Sequence, residues 1–156
     1  LNPTSQLLLL HSRLAHAMDH SQSLLLLGTR WWVGWQFLKS GWLKLTTWDV
    51  TLELFRSEYA VPVLSPPLAA VLGTLGELFF PALLMLGLFT RVAAPGLFVV
   101  NAMAVVSYWH VIGAEGYEAA LAQHVLWGFM LAVVAVCGAG NLSLDARLER
   151  KVRPSR

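Results

Sequence analysis

Six side chains in this sequence can hold charge, exchange a proton or grip a small ligand from within apolar surroundings: Arg30, Lys44, Glu77, Asn101, Tyr108 and His124. Glu77 stands close to the middle of the run 67–89, where a carboxyl is either neutral by desolvation or ionised against a cation. Arg30 interrupts the run 23–45 and needs a partner or water, whereas Lys39 lies near that run's end and can reach the interface along its own stem. His124 and Glu77 are the groups able to exchange a proton and are assigned as catalytic. Arg30, Asn101, Tyr108 and Lys44 are assigned to hold a ligand.

Helical geometry places these groups. Counting about 100° per residue from Arg30, the positions Gly34, Phe37, Gly41 and Lys44 fall on one stripe, a face suited to other helices. Ala70, Gly73, Pro81, Leu84 and Arg91 share the face of Glu77 in the same way. Pro81 leaves the carbonyl of Glu77 without its usual helical donor, so a kink or a water is expected there. Asn101 and Tyr108 share a face if their helix is regular, and His110 then points away as an interfacial residue. His124, Gly128, Leu131 and Ala135 form a stripe on the last run, flanked by Gln123 and Trp127. Measured from the outer ends of the runs at about 1.5 Å per residue, His124 lies roughly 9 Å deep, Asn101 and Glu77 about 13 to 15 Å, and Arg30 about 21 Å. A common intrabundle site with Arg30 coupled to Glu77 follows. The competing reading is a buried ion pair of the same two residues that only fixes helix register.

The chain of 156 residues is 56% hydrophobic and 13% charged, with a mean hydropathy of +0.59, which points to a membrane protein. The runs 23–45, 67–89, 92–112 and 118–138 reach spanning length, so the expected fold is an all-α, polytopic four-helix membrane bundle. None alternates with period two, which removes a transmembrane barrel. The division expected is 1–22 as an amphipathic segment on the cytoplasmic side, 23–145 as the membrane domain and 146–156 as a basic tail. Arg13, Arg91 and the tail lie on one side, while Asp49, Glu53, Glu58, Glu115 and Glu118 lie on the other. By the positive-inside rule both termini are cytoplasmic.

Outside the runs, Leu7, Leu10, Leu14 and Met18 share one helical side of the first segment, which reads as a surface helix rather than a signal peptide. His16 and His20 are four apart but read as solvated interfacial residues, and no metal site is expected. In the long linker 46–66, Trp48, Leu52, Phe55 and Tyr59 recur at spacings of four, three and four, so a short interfacial helix is expected to roof the bundle. A single cysteine, Cys137, excludes an intrachain disulfide and any CxxC chemistry. The basic tail fits anionic lipid, and a nucleic-acid partner is not expected.

The series Arg30, Gly34, Phe37, Gly41, Lys44, then Glu77 with LMLGLFTR at 84–91, then GAGNLSLD at 138–145, resembles the DoxX family of small bacterial membrane proteins. The likeness runs over about residues 24–148 and implies a four-helix membrane fold in which the Arg, Lys and Glu positions are hallmarks. It further implies a link to thiosulfate:quinone oxidoreductase, whose membrane subunits are related, and to operons for copper-binding modified peptides. The function expected on that basis is a membrane subunit of a quinone-linked redox system in the bacterial inner membrane. In it Glu77 or His124 exchanges the proton that accompanies quinone reduction, and Arg30 stabilises charge on the quinone oxygen. No flavin, haem or iron-sulfur motif is present in the sequence, so electrons come from a substrate or a protein partner. The alternative is a non-enzymatic membrane adaptor or assembly factor for a metal-handling or peptide-modification system, either as a partner-bound chain or as a homo-oligomer. A transporter is disfavoured by small size and the lack of internal repeats.

Overall fold

The computed structural model describes residues 2–152, the side chains of 16, 17, 19 and 20 excepted, so the His16 and His20 expectation lies outside the described residues. Seven helices account for the described architecture: α1 (Pro3–Thr46), α2 (Trp48–Ser57), α3 (Pro66–Leu86), α4 (Thr90–Ser107), α5 (Trp109–Ile112), α6 (Glu118–Cys137) and α7 (Leu144–Val152). α1 packs on α3, α3 on α4, α4 on α6, and α6 closes back on α1. The four long helices thus form the expected bundle. Three of them, α3, α4 and α6, are long and apolar enough to cross a membrane. Only 17 to 33% of the most apolar window in each is buried inside the protein, so most of their apolar surface faces outward, as lipid contact requires. α1 is less apolar, since Arg30, Gln36, Lys39 and the exposed Trp31, Trp32, Trp35 and Trp42 dilute its run.

The bundle core is built where small and branched residues from the four helices meet. Leu26, Val33 and Phe37 of α1 join Leu84 of α3, Ala93, Ala94 and Leu97 of α4, and Leu131 and Val134 of α6. Glycines let α1 and α3 approach. A β-carbon on Gly41 would lie 2.9 Å from the Glu77 carbonyl carbon, and one on Gly34 would lie 2.7 Å from Met85 Cγ. These two contacts fix the register: Gly41 is level with Glu77, and Gly34 with the turn from Pro81 to Met85. α3 runs through Pro81 without a break, and the carbonyl that Pro81 leaves without a helical donor is the one Gly41 covers.

Two elements differ from the sequence expectation, and the tail adds a helix on which that expectation was silent. The first segment is no separate surface helix: it continues as α1, a single helix of 44 residues and roughly 66 Å. No glycine or proline falls between Pro3 and Gly28 to end it, and Leu7, Leu10, Leu14 and Met18 remain exposed on a rod that projects from the bundle. The third run breaks at Tyr108, because the Ser107 carbonyl accepts the Ala60 N–H at 2.9 Å and leaves the helical ladder; α5 then forms as one turn. The tail folds as α7 through Val152, whose start is capped by the Ser143 hydroxyl accepting the Ala146 N–H at 3.1 Å.

The roof is as expected. α2 lies over the α1–α3 end of the bundle, with Phe55 buried against Ala69 and Ala70, and Trp48, Leu52 and Tyr59 packed around them. Asp49, Glu53 and Arg56 face away. Thr51 ties this helix down by donating to the Lys44 carbonyl at 3.0 Å.

Candidate functional site

Beneath the α2 roof the four helices do not fill the space between them, and a cavity of about 420 Å³ remains. Its walls are mainly apolar, from Phe37, Phe55, Leu64, Leu72, Val100 and Met103, with polar groups from Lys44, Glu77, Tyr59, Tyr108 and His124. That volume and that mixture are usual for small-molecule sites. Of the residues assigned from sequence, Lys44, Glu77, Tyr108 and His124 line it; Asn101 stands directly behind His124, and Arg30 is elsewhere.

Glu77 is paired with Lys44, not with Arg30. Lys44 Nζ donates to Glu77 Oε1 at 2.5 Å, and the side chains are 20% and 6% exposed. The expected coupling of Arg30 to Glu77 is therefore corrected, and the reason is register. Arg30 precedes Gly41 by eleven residues, which puts it about 16 Å along α1 from the level of Glu77. Depth counted from helix ends misjudged this because α3 begins further out than α1 finishes: Thr46 is level with Leu72, roughly 9 Å beyond which α3 starts at Pro66.

Arg30 is fully buried at the opposite end, under the α3–α4 turn. Its Nη1 donates to the Leu84 carbonyl at 3.2 Å and its Nη2 to the Leu142 carbonyl at 2.7 Å. The first is in the last turn of α3, where carbonyls lack helical donors and the helix dipole is negative. Gly87 turns the chain there with φ of 65°, and a β-carbon on it would lie 2.1 Å from Arg30 Nη1. The same turn is clasped from the far end of the chain. The Asp145 carboxylate accepts the Phe89 N–H at 2.7 Å and the Thr90 N–H at 2.9 Å, while its own N–H donates to the Gly87 carbonyl at 2.8 Å. Arg30 thus joins α1, α3 and the segment after α6.

Asn101 and His124 form a closed pair between α4 and α6. Asn101 Nδ2 donates to the His124 carbonyl at 2.9 Å, and its Oδ1 lies 2.8 Å from His124 Nδ1. Because a carbonyl can only accept, the amide nitrogen must face it, which turns Oδ1 toward the ring; Nδ1 must then carry the hydrogen. The Nε2 atom has no hydrogen-bond partner among the described residues. His124 packs edge-on against Trp127 at 5.0 Å, and Trp127 against Phe37 at 5.4 Å. On the roof side Phe55, Tyr59, Tyr108 and His110 follow one another with ring centroids 4.8, 5.2 and 5.3 Å apart, His110 being exposed as expected. Burial, with Tyr108, Glu77 and Glu58 adding to it, pushes the Tyr59 hydroxyl above its usual range.

Two buried polar atoms of cavity-lining residues lack partners among the described residues: Glu77 Oε2 and Trp127 Nε1. Orphaned buried polar atoms are costly, and a cavity wall is where a ligand can satisfy them. Tyr59 was not singled out in sequence as a site residue, and it reaches the cavity only through the fold of the linker.

No curated protein and no solved structure matches the chain. The family model for DoxX matches residues 25–112, more than half of the 156 residues, and covers Arg30, Lys44, Glu77, Asn101 and Tyr108 but stops short of His124. This multi-pass membrane protein belongs to the DoxX family.

Proposed function

We propose that this protein is the membrane subunit of a quinone-linked redox system, with four spans, both termini in the cytoplasm of a bacterium, and the cavity under α2 as the quinone-head site. The observation that carries this reading is the unpartnered Glu77 Oε2, buried in the wall of a largely apolar cavity beside a cation. An apolar ring with a polar oxygen at its edge fits such a space, and its tail can lie among the phenylalanine and leucine side chains of the walls. A bound quinone would supply two-electron, two-proton redox chemistry. Lys44 then takes the part that the sequence assigned to Arg30, holding an ammonium near the ligand oxygen, while Glu77 Oε2 and His124 Nε2 are the positions able to take or give a proton. Arg30 supports the site from a distance by holding the helix ends. Electrons enter from a protein partner.

The test is to extract the purified protein with organic solvent, identify retained quinones by mass spectrometry, and titrate quinone-stripped protein with a short-chain benzoquinone while following tryptophan fluorescence. Trp127 lies in the cavity wall and should be quenched, and Trp127→Phe should remove most of that change. Protein that retains no quinone and shows no saturable quenching refutes the reading. The adaptor alternative draws on one observation, the exposed leucines of the projecting part of α1, and predicts co-purification of a protein lost when residues 2–20 are deleted.

A further inference from the structure

The hydrogen-bond polarity of the cavity wall distinguishes between the two redox forms of a ligand, and this inference rests on the quinone-site reading above. We propose that the site is built for the hydroxylated, reduced form, the quinol, and that Asn101 is the positioning residue that makes it so. Asn101 cannot flip, because its amide nitrogen is committed to the His124 carbonyl at 2.9 Å. Its oxygen therefore holds the hydrogen on Nδ1, and a neutral imidazole locked in that tautomer offers only a lone pair at Nε2. The second free position is Glu77 Oε2. With Oε1 accepting from Lys44, the ionised carboxylate has only lone pairs to offer there as well.

Both positions accept and neither donates. A quinone oxygen also only accepts, so against His124 Nε2 it meets a lone pair and leaves both groups unsatisfied. A quinol hydroxyl donates to Nε2 and keeps lone pairs for a donor such as the unpartnered Trp127 Nε1–H. Among the described residues Lys44 is the one wall cation; its ammonium donates to Glu77 Oε1, and its remaining N–H groups serve the oxygen of either redox form alike. The wall thus complements an O–H better than a C=O, whichever aromatic carries it. A tenfold preference, about the size of one well-made hydrogen bond, raises the potential of the bound two-electron couple by about 30 mV.

The experiment measures the affinities of a short-chain benzoquinone and of its quinol, kept reduced, for purified wild-type protein, Asn101→Asp and His124→Gln. Histidine-selective nitrogen-15 NMR of the wild type runs alongside, the His124 signal being assigned by its loss in His124→Gln. Expected are a protonated Nδ1 with a bare Nε2, and a quinol preference of at least about tenfold in the wild type. In Asn101→Asp the carboxylate favours the imidazolium, Nε2 becomes a donor, and the preference falls to within about twofold or reverses. His124→Gln, whose amide can donate or accept, loses the preference while still binding both forms. Equal affinities in the wild type, an unchanged ratio in Asn101→Asp and His124→Gln, or a bare Nδ1 overturns the inference and leaves the quinone site standing. Binding of neither form overturns both.

Discussion

Replacing Glu77 by glutamine keeps the shape of the side chain and removes the charge that Lys44 faces. For unit charges 2.5 Å apart, Coulomb's law at an effective dielectric of about 20 gives roughly 7 kcal/mol. Desolvation offsets much of that, and removing one member of a buried pair costs about 3 to 5 kcal/mol because the other is left uncompensated. Lys44 is a fifth exposed and can turn its ammonium outward, so about 3 kcal/mol is expected for Glu77→Gln. For a chain of this size that is roughly 6 to 12 °C in Tm. The double variant Glu77→Gln with Lys44→Met should recover to within about 1 kcal/mol of the wild type. Arg30→Met, in contrast, should add its own cost to that of Glu77→Gln, because Arg30 binds carbonyls about 16 Å away along α1. Unfolding in mixed micelles, followed by tryptophan fluorescence, measures these variants together with Lys44→Met alone and closes both cycles. A coupling between Glu77 and Lys44 below about 0.5 kcal/mol, or rescue of Glu77→Gln by Arg30→Met, would refute the register argument.

Gly41→Ala should cost about 1 to 3 kcal/mol, since its β-carbon meets backbone of Glu77 at 2.9 to 3.0 Å and the two helices must part; Gly28→Ala, with nothing within 4 Å, should cost nothing in the same assay. Tyr59 is held neutral by burial, so its contribution to stability is intact below the unfolded-state value of about 10 and is lost as pH rises beyond it. Tyr59→Phe should therefore flatten the alkaline fall in thermal stability, and an unchanged fall would show that Tyr59 is not its source. Single cysteines placed at Glu53 and at Arg147 in a Cys137→Ala background should label from opposite sides of the membrane, with Arg147 inside; the reverse labelling overturns the proposed orientation.

Much of this fold was legible because membrane helices announce themselves by composition and length, and the α2 roof by the spacing of Trp48, Leu52 and Phe55. The residues of the site were legible for the same reason: a carboxylate, an amide and an imidazole within apolar runs stand out. Their partners were not. Which cation meets Glu77 depends on how far α3 slides along α1, and that is set by Gly41 against Glu77 and Gly34 against Met85, contacts with no mark in either helix alone. Asn101 and His124 were both placed in one intrabundle site in sequence, but only the fold shows that they bind each other and so fix a tautomer. The break at Tyr108 was hidden too, because it arises from the Ala60 N–H bound to the carbonyl of Ser107, far apart in the chain.

The grip of Arg30 sets an order of events during synthesis. Its acceptors, Leu84 and Leu142, are made 54 and 112 residues after it. At about 5 to 20 residues per second the second of these follows Arg30 by roughly 6 to 22 s. During that interval a guanidinium in the hydrocarbon would have neither carbonyl to bind until Leu84 is made and only one of the two thereafter, against an insertion cost of about 2.5 to 3.5 kcal/mol. The four tryptophans on the outer surface of α1 suit a wait at the headgroup level. Of the four long helices α1 is made before the other three yet is the last to settle, and it does so only when the segment carrying Leu142 and Asp145 arrives to close the turn.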